Sequence, residues 1–270
     1  MWLVAPIVLA VVGVLAVGLY FGADALLTAK AEPNKPVDAN DVIKTTVTAI
    51  TLIGAVLAGI YAYRKQLLSE GDSHRADASQ LANRYSTSAE QLGHEQAAVR
   101  LAGVYAMARL ADDWPEQRQV CIDVLCAYLR MPYESDPAGA GFKEGEREVR
   151  LTIIRIIRAH LQDPKAATTW CGRSLDFTGV TFDGGDFSHA WFTGTTYFND
   201  AHFTGGRVLF LAAKFGGPTF FDGARFTGGM VIFSGVQPVA GSIFTFDNVV
   251  VRDTASIDWG PFPVIPPNAP

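Results

Sequence analysis

Asp186, Ser188 and His189 put a carboxylate, a hydroxyl and an imidazole within four consecutive positions, the groups that acyl transfer requires. Such a set hydrolyses a substrate only if the imidazole reaches the hydroxyl, a third group orients it and an oxyanion site lies beside both. Asp200 and His202 invite the same reading. Both sets occupy positions of a repeated segment at which neighbouring side chains diverge round a corner, so no catalytic residue is assigned. Cys121, Cys126 and Cys171, with His160, are the candidates for a metal. Zinc sites prefer two to four residues between paired cysteines, with further Cys or His at matching spacing. Cys121 and Cys126 stand five apart in an apolar helical pattern, Cys171 follows Trp170 alone, and His160 supplies no second pair. They read as small apolar side chains, and no metal ligand is assigned. An odd, sparse thiol count fits a reducing compartment. Walker, GxGxxG-before-helix, HExxH and CxxC motifs are all missing, so no cofactor is expected and the chain reads as non-enzymatic.

The 270 residues are 49% apolar and 18% charged, with mean hydropathy +0.17. That composition excludes a disordered chain, a disulfide scaffold and a polytopic transporter, and makes the apolar excess local. Basic and acidic residues number 5 and 4 up to Lys65, 11 and 15 up to Pro164, and 6 and 8 beyond. Neither the basic stripe of a nucleic-acid binder nor the dense acidity of a DNA mimic is present, so no nucleic-acid partner is expected.

The excess sits at the N-terminus. Residues 2–23 carry no charge, and Thr45–Tyr63 repeats the pattern between Lys44 and the pair Arg64 and Lys65, with Tyr61 and Tyr63 at an interfacial depth. Two such runs joined by a short polar loop predict a transmembrane hairpin over 1–65. Arg64, Lys65, Arg75 and Arg84 follow the second span, whereas Lys30, Lys35 and Lys44 in the loop are diluted by four acids. The positive-inside bias then puts the remaining chain in the cytoplasm. The rival reading, a signal peptide cleaved after Ala29, Lys30 and Ala31, is opposed by the length of the apolar run and the lack of a preceding basic residue. Gly18 with Gly22, and Ala55 with Gly59, offer small-residue seams for the two helices or for pairing of protomers.

Residues 66–88 read as a polar juxtamembrane linker and 89–163 as a helical domain. Thr87 and Glu90 fit a capping box before a helix with Val99 or Leu101, Val104, Tyr105 and Ala108 inward, ending near Asp112. Asp113 as N-cap, Pro115 and Glu116 start a second helix, with Val120, Cys121, Val124, Leu125, Tyr128 and Leu129 inward. Glu146–Leu161 forms a third on Val149, Ile153, Ile156, Ile157 and Leu161. Such a short HEAT- or armadillo-like segment cannot bury its own faces and must pack on the next domain, a copy of itself or a partner. Arg147, Arg150, Arg155 and Arg158 on the third helix read as a solvated face balanced by Glu144, Glu146 and Glu148, with anionic lipid or an acidic partner as the alternative.

Fourteen of the seventeen Phe residues lie between Phe177 and Phe246. Phe177, Phe182, Phe187 and Phe192 recur at intervals of five, and the series continues through Phe198, Phe203, Phe210, Phe215, Phe221, Phe226 and Phe233. Aligning Trp191–Phe210 with Lys214–Phe233 gives a period of 23 residues holding four Phe positions, hence four short faces per turn. Eight of these eleven residues have Gly two positions later, which permits tight corners. The segment resembles the pentapeptide-repeat family in a Phe-centred form, and with the hairpin it resembles a bacterial membrane-anchored member. The resemblance implies a right-handed quadrilateral β-helix with the eleven Phe inward. It also places Ala190, Ala201, Ala213 and Ala224, with Thr196, Val208, Thr219 and Val231, at the small inward position.

The fold class is therefore α+β multidomain: hairpin, helical segment, and a β-helix over 170–257 of about three coils, followed by a Pro-rich tail over 258–270. Each buried ring contributes roughly 1.5–3 kcal/mol, and Phe203→Ala should cost about 3–5 kcal/mol. The expected function is a membrane-tethered cytoplasmic interaction or scaffold protein, with the bilayer and a protein as partners and a homodimer plausible from the exposed solenoid ends. The alternatives are a topoisomerase-protecting regulator and a small-molecule sensor or enzyme at the junction of helices and coils.

Overall fold

The computed structural model describes the backbone of residues 4–30 and 38–266 and the side chains of 13–30, 38–66 and 78–266. Residues 2 and 3 of the first span, Ala31 and Lys35 of the loop, the Arg75 side chain and the last four residues of the tail lie outside these ranges. The chain divides into two compact units, before and after the Asp77–Ala78 bond.

In the first unit, α1 (Val4–Lys30) and α2 (Ala39–Leu92) are helices long and apolar enough to cross a membrane, over Gly13–Lys30 and Ala39–Gln66. Pro6 falls in the first turn of α1, where its missing N–H leaves no ladder bond unmade. The hydroxyls of Thr28, Thr45, Thr46, Thr48 and Thr51 each donate to the carbonyl four residues earlier, so they need no water. Val42 and Thr46 are buried, whereas Leu15, Leu52 and Leu57 are at least 60% exposed, a surface suited to lipid and ill suited to water. The small-residue motifs do not seat the hairpin: a Cβ added at Gly18, Gly22 or Gly59 would meet nothing within 4 Å.

The second unit begins on the last turns of α2. The expected capping box at Thr87 and Glu90 starts no helix, because α2 runs on to Leu92 and buries Ser88 and Leu92. Next come α3 (Ala97–Asp113), a 3-10 turn at Pro115–Gln117, α4 (Arg118–Arg130) and α5 (Glu146–His160). Asp113 is not an N-cap; it ends α3, and its carboxylate accepts from Arg84 at 2.7 Å. Tyr105 and Val120, expected inward, are exposed. Met107, Leu110 and Ile122 join Val104, Ala108, Cys121, Leu125, Tyr128 and Leu129 in the core, so each apolar stripe keeps its expected residues except at one edge. On α5 the expected set of Val149, Ile153, Ile156 and Ile157, with Leu161 just beyond it, is buried throughout.

The solenoid follows. Its first coil holds β1 (Leu175–Asp176), β2 (Thr181–Phe182), β3 (Gly185–Asp186) and β4 (Trp191–Phe192). The second holds β5 (Thr196–Tyr197), β6 (His202–Phe203), β7 (Arg207–Leu209) and β8 (Lys214–Phe215). The third holds β9 (Thr219–Phe220), β10 (Arg225–Phe226), β11 (Gly229–Ile232) and β12 (Gln237–Pro238). β13 (Phe244–Thr245), β14 (Val250–Val251) and β15 (Ala255–Asp258) form three sides of a fourth. Each side is a parallel sheet, ordered β1-β5-β9-β13, β2-β6-β10-β14, β3-β7-β11-β15 and β4-β8-β12. All eleven repeat Phe residues are at most 1% exposed, and the eight small inward residues are buried as expected. Rings stack from coil to coil, Phe198 on Phe221 at 4.7 Å and Phe203 on Phe226 at 4.6 Å.

The solenoid has about four turns, one more than the repeat discloses. Register partners are 23 residues apart between the second and third coils but 25 or 26 apart between the third and fourth. In that last coil Val251 and Trp259 replace Phe beneath Phe226 and Phe233, which hides it from a search for Phe at fixed spacing. The fourth sheet stops at three strands because Pro238 sits below Phe215 and has no N–H to offer another rung. The lower end is closed by side chains: Trp259 and Phe262 are buried, and Phe262 packs on Phe233, Phe244 and Phe246. The Pro-rich segment thus begins as a plug before it becomes a tail.

Two of the corners demand a left-handed residue whatever its type. Gly179, Asp200, Gly223 and Asn248 have φ between 53° and 71°, and His189, Ala212, Gly235 and Gly260 between 52° and 66°. Ala212 is the residue least suited to this region. Ala212→Gly should therefore raise stability by about 0.5–1 kcal/mol, read from the denaturant midpoint of the full chain in detergent.

Candidate functional site

The upper edge of the first coil exposes strand carbonyls and amides with no preceding rung to pair them, a hazard for aggregation. The helices cover that edge with side chains. Arg150, only 4% exposed, donates to the carbonyls of Thr181 at 3.0 Å and Leu129 at 2.6 Å and lies 4.5 Å from the Tyr133 ring centre. Arg147 reaches the carboxylate of Asp183 at 3.0 Å and its carbonyl at 3.1 Å. Arg158 donates to the Ser188 carbonyl and pairs with Asp186, both at 2.9 Å. Arg130 pairs with Asp176, Gln119 exchanges two bonds with the Ser174 backbone, and the Trp191 amide donates to the Leu161 carbonyl. Gly185 stands where Ile154 of α5 enters: a Cβ there would lie 3.0 Å from Ile154 Cδ1.

The arginine face of α5 is expected to be solvated and is so only in part: Arg147 and Arg155 are exposed, Arg158 is half-buried and Arg150 is buried. Three of its four arginines clamp the first coil, and only Arg155 remains an exposed helix pair, with Glu148 at 3.3 Å. Spacing could not disclose this, since α5 is amphipathic on charge alone and its arginines meet residues 30 to 36 positions away. Packing on the next domain, one of the three expected ways to bury the helical faces, is realised.

The residues singled out for chemistry are dispersed. The Asp186 carboxylate accepts from the Ser188 amide and pairs with Arg158, while His189 is an exposed corner residue. Asp200 is another corner, and His202 lies outward on β6 beside Arg225 of β10. His160 meets the Ile156 carbonyl at 2.8 Å and Asp112 at 3.2 Å and stacks on Trp170 at 4.3 Å. Among the described residues no group of three or more His, Cys, Asp or Glu is placed to hold a metal ion.

A buried network that spacing did not reveal joins the helices. Arg100 pairs with Glu146 at 3.1 Å, and Tyr128 donates to the same carboxylate at 2.9 Å. Above them lies a cavity of about 180 Å³ bordered by His94, Tyr133 and Lys143. Arg118 caps α3, donating to the carbonyls of Ala111 and Asp112. No family model, no curated protein and no solved structure matches the chain. The fold itself is nonetheless plain: a β-solenoid of stacked parallel coils with regularly spaced Phe, a repeat architecture of the kind used for interaction.

Burial pushes the Cys121 thiol up to about 11 and that of Cys126 up to about 12. Tyr128 is raised too, first by burial and then by the Glu146 carboxylate. Groups raised in the folded state contribute fully below their unfolded values and lose that contribution as pH climbs toward the folded ones. Stability should hold to about pH 8.5 and fall between about 9 and 12, as the unfolded chain gives up protons the folded one keeps. Denaturant midpoints across that range check it, and Cys126→Ala should flatten the fall.

Proposed function

We propose that this protein is a membrane-anchored interaction protein of the pentapeptide-repeat type: the hairpin holds it to a bilayer, and the cytoplasmic solenoid presents flat faces to protein partners. One observation carries the reading: the solenoid interior is filled by stacked Phe through its first three coils and closed below by Val251, Trp259 and Phe262, so its chemical variety lies on outer faces. A filled axis leaves no room there for a substrate, and the polar groups near the helices serve hydrogen bonds of the fold, which supports a non-catalytic role. Arg64 and Lys65 after the second span support the cytoplasmic placement.

Full-length protein carrying a C-terminal reporter tests this in a bacterial host. The protein should stay with membranes through carbonate extraction, with a fluorescent reporter active and an alkaline phosphatase reporter silent. Release by carbonate, or phosphatase activity outside the cytoplasm, would overturn it.

A further inference from the structure

Of the four outer faces, that of the sheet β1-β5-β9-β13 combines exposed aromatic surface with uncompensated charge. Tyr197 and Phe220 stack outward at 5.4 Å, beside Pro218 and the exposed Ile243. The interior already holds every repeat Phe, so these groups are not overflow from a crowded core. An outward aromatic and aliphatic strip marks a contact surface.

Three aspartates border the strip where this face turns into the next. Asp222 and Asp247 sit on successive rungs, the Asp222 carboxylate fixed by bonds from Thr245 Oγ1 at 2.7 Å and the Asp247 amide at 2.9 Å. Asp200 lies one rung above. The first coil's Asp176, Asp183 and Asp186 each have an arginine partner. Among the described residues, Asp200, Asp222 and Asp247 have none. Like charges on neighbouring rungs repel, so this row lowers the stability of the free protein and would gain most from a cation supplied from outside.

We propose that this face docks a segment of a partner protein that carries arginine or lysine among apolar side chains. A guanidinium there can stack on Tyr197 or Phe220 and reach the aspartates at the same time. The adjacent face sets the boundary, because Arg225 lies outward on it with no acidic partner among the described residues. The inference rests on the reading as an interaction protein and names the face and the charge of the partner.

The test places a photo-crosslinking residue at Phe220 of the full chain in cells, with Lys214, Arg225 and Met230 as sites on the other three faces. Phe220 adducts should be protein segments of net positive charge. Asp200→Asn with Asp247→Asn, whose carboxylates have no hydrogen-bond or ion-pair partner among the described residues, should lower adduct yield about tenfold, the effect of about 1.4 kcal/mol. Adducts that are acidic, neutral or lipid only, or a yield unchanged in the double variant, would overturn the proposal. Adducts at the other sites with none at Phe220 would reject this face and leave the interaction reading intact. No protein adduct at any of the four would reject both.

Discussion

Phe210→Ala is expected to lower stability by about 3–5 kcal/mol, toward the upper end of that range. The ring is fully buried, stacks on Phe187 at 5.2 Å and Phe233 at 5.0 Å, and meets Phe198, Phe215 and Phe221 at its edges. Its removal opens a cavity in the middle of the axis. Both neighbours on its ladder are held by backbone bonds to the coil below, Phe187 to the Leu209 carbonyl and Phe233 to the Asp258 carbonyl, so the hole cannot collapse without breaking a sheet. Phe203→Ala falls lower in the same range, because that ring stacks on Phe182 and Phe226 without such edge contacts. Denaturant unfolding of the full chain in detergent, followed by tryptophan fluorescence, reads both. A loss below about 1 kcal/mol at Phe210 would mean that the ring is not interior.

Arg150→Ala is expected to cost about as much, roughly 3–5 kcal/mol, although no hydrophobic contact dominates its surroundings. The guanidinium is the donor for two carbonyls, Leu129 at the end of α4 and Thr181 at the open edge of β2. Deleting it leaves both acceptors buried and unpaired, at about 1–3 kcal/mol each, and removes the cation from the Tyr133 ring. Lysine should restore the loss only in part: both carbonyls bond to the single nitrogen Nη2, which an ammonium can imitate, but the flat cation over the Tyr133 ring is lost. Burial lowers the Arg150 pKa, with Glu146 and other neighbours opposing, as befits a charge retained only because its partners are in place. The same chemical denaturation measures this variant. A near-neutral Arg150→Ala would show that the helices do not close the first coil by this route.

The two variants mark what the amino-acid sequence disclosed and what it withheld. Phe210 was legible because a ring that must point inward at every face leaves a period in the chain. Local spacing and turn chemistry suffice to read it. Arg150 was not, because its role depends on which carbonyls a distant coil leaves open, and an amphipathic helix shows its charges without showing what they face. The fourth coil fell between these cases. Its strands keep register, but two or three added residues per turn and the change from Phe to Val251 and Trp259 erase the interval. At Thr87 and Glu90 a local start signal lost to the continuing backbone bonds of α2. At Tyr105 and Val120 the expected stripe reaches one residue too far at its edge, since neighbours on a helix differ by roughly 100°, while Val104 and Cys121 beside them are buried.

In-register stacking of the coils is tested most directly by paired cysteines on outward rungs. Tyr197→Cys with Phe220→Cys, placed side by side on β5 and β9, should join through a disulfide or a short bifunctional reagent in the full chain. So should His202→Cys with Arg225→Cys on β6 and β10. Tyr197→Cys with Phe221→Cys should not, because the latter position is inward. Equal linkage of that control, or none in either matched pair, would contradict the stacked-coil architecture.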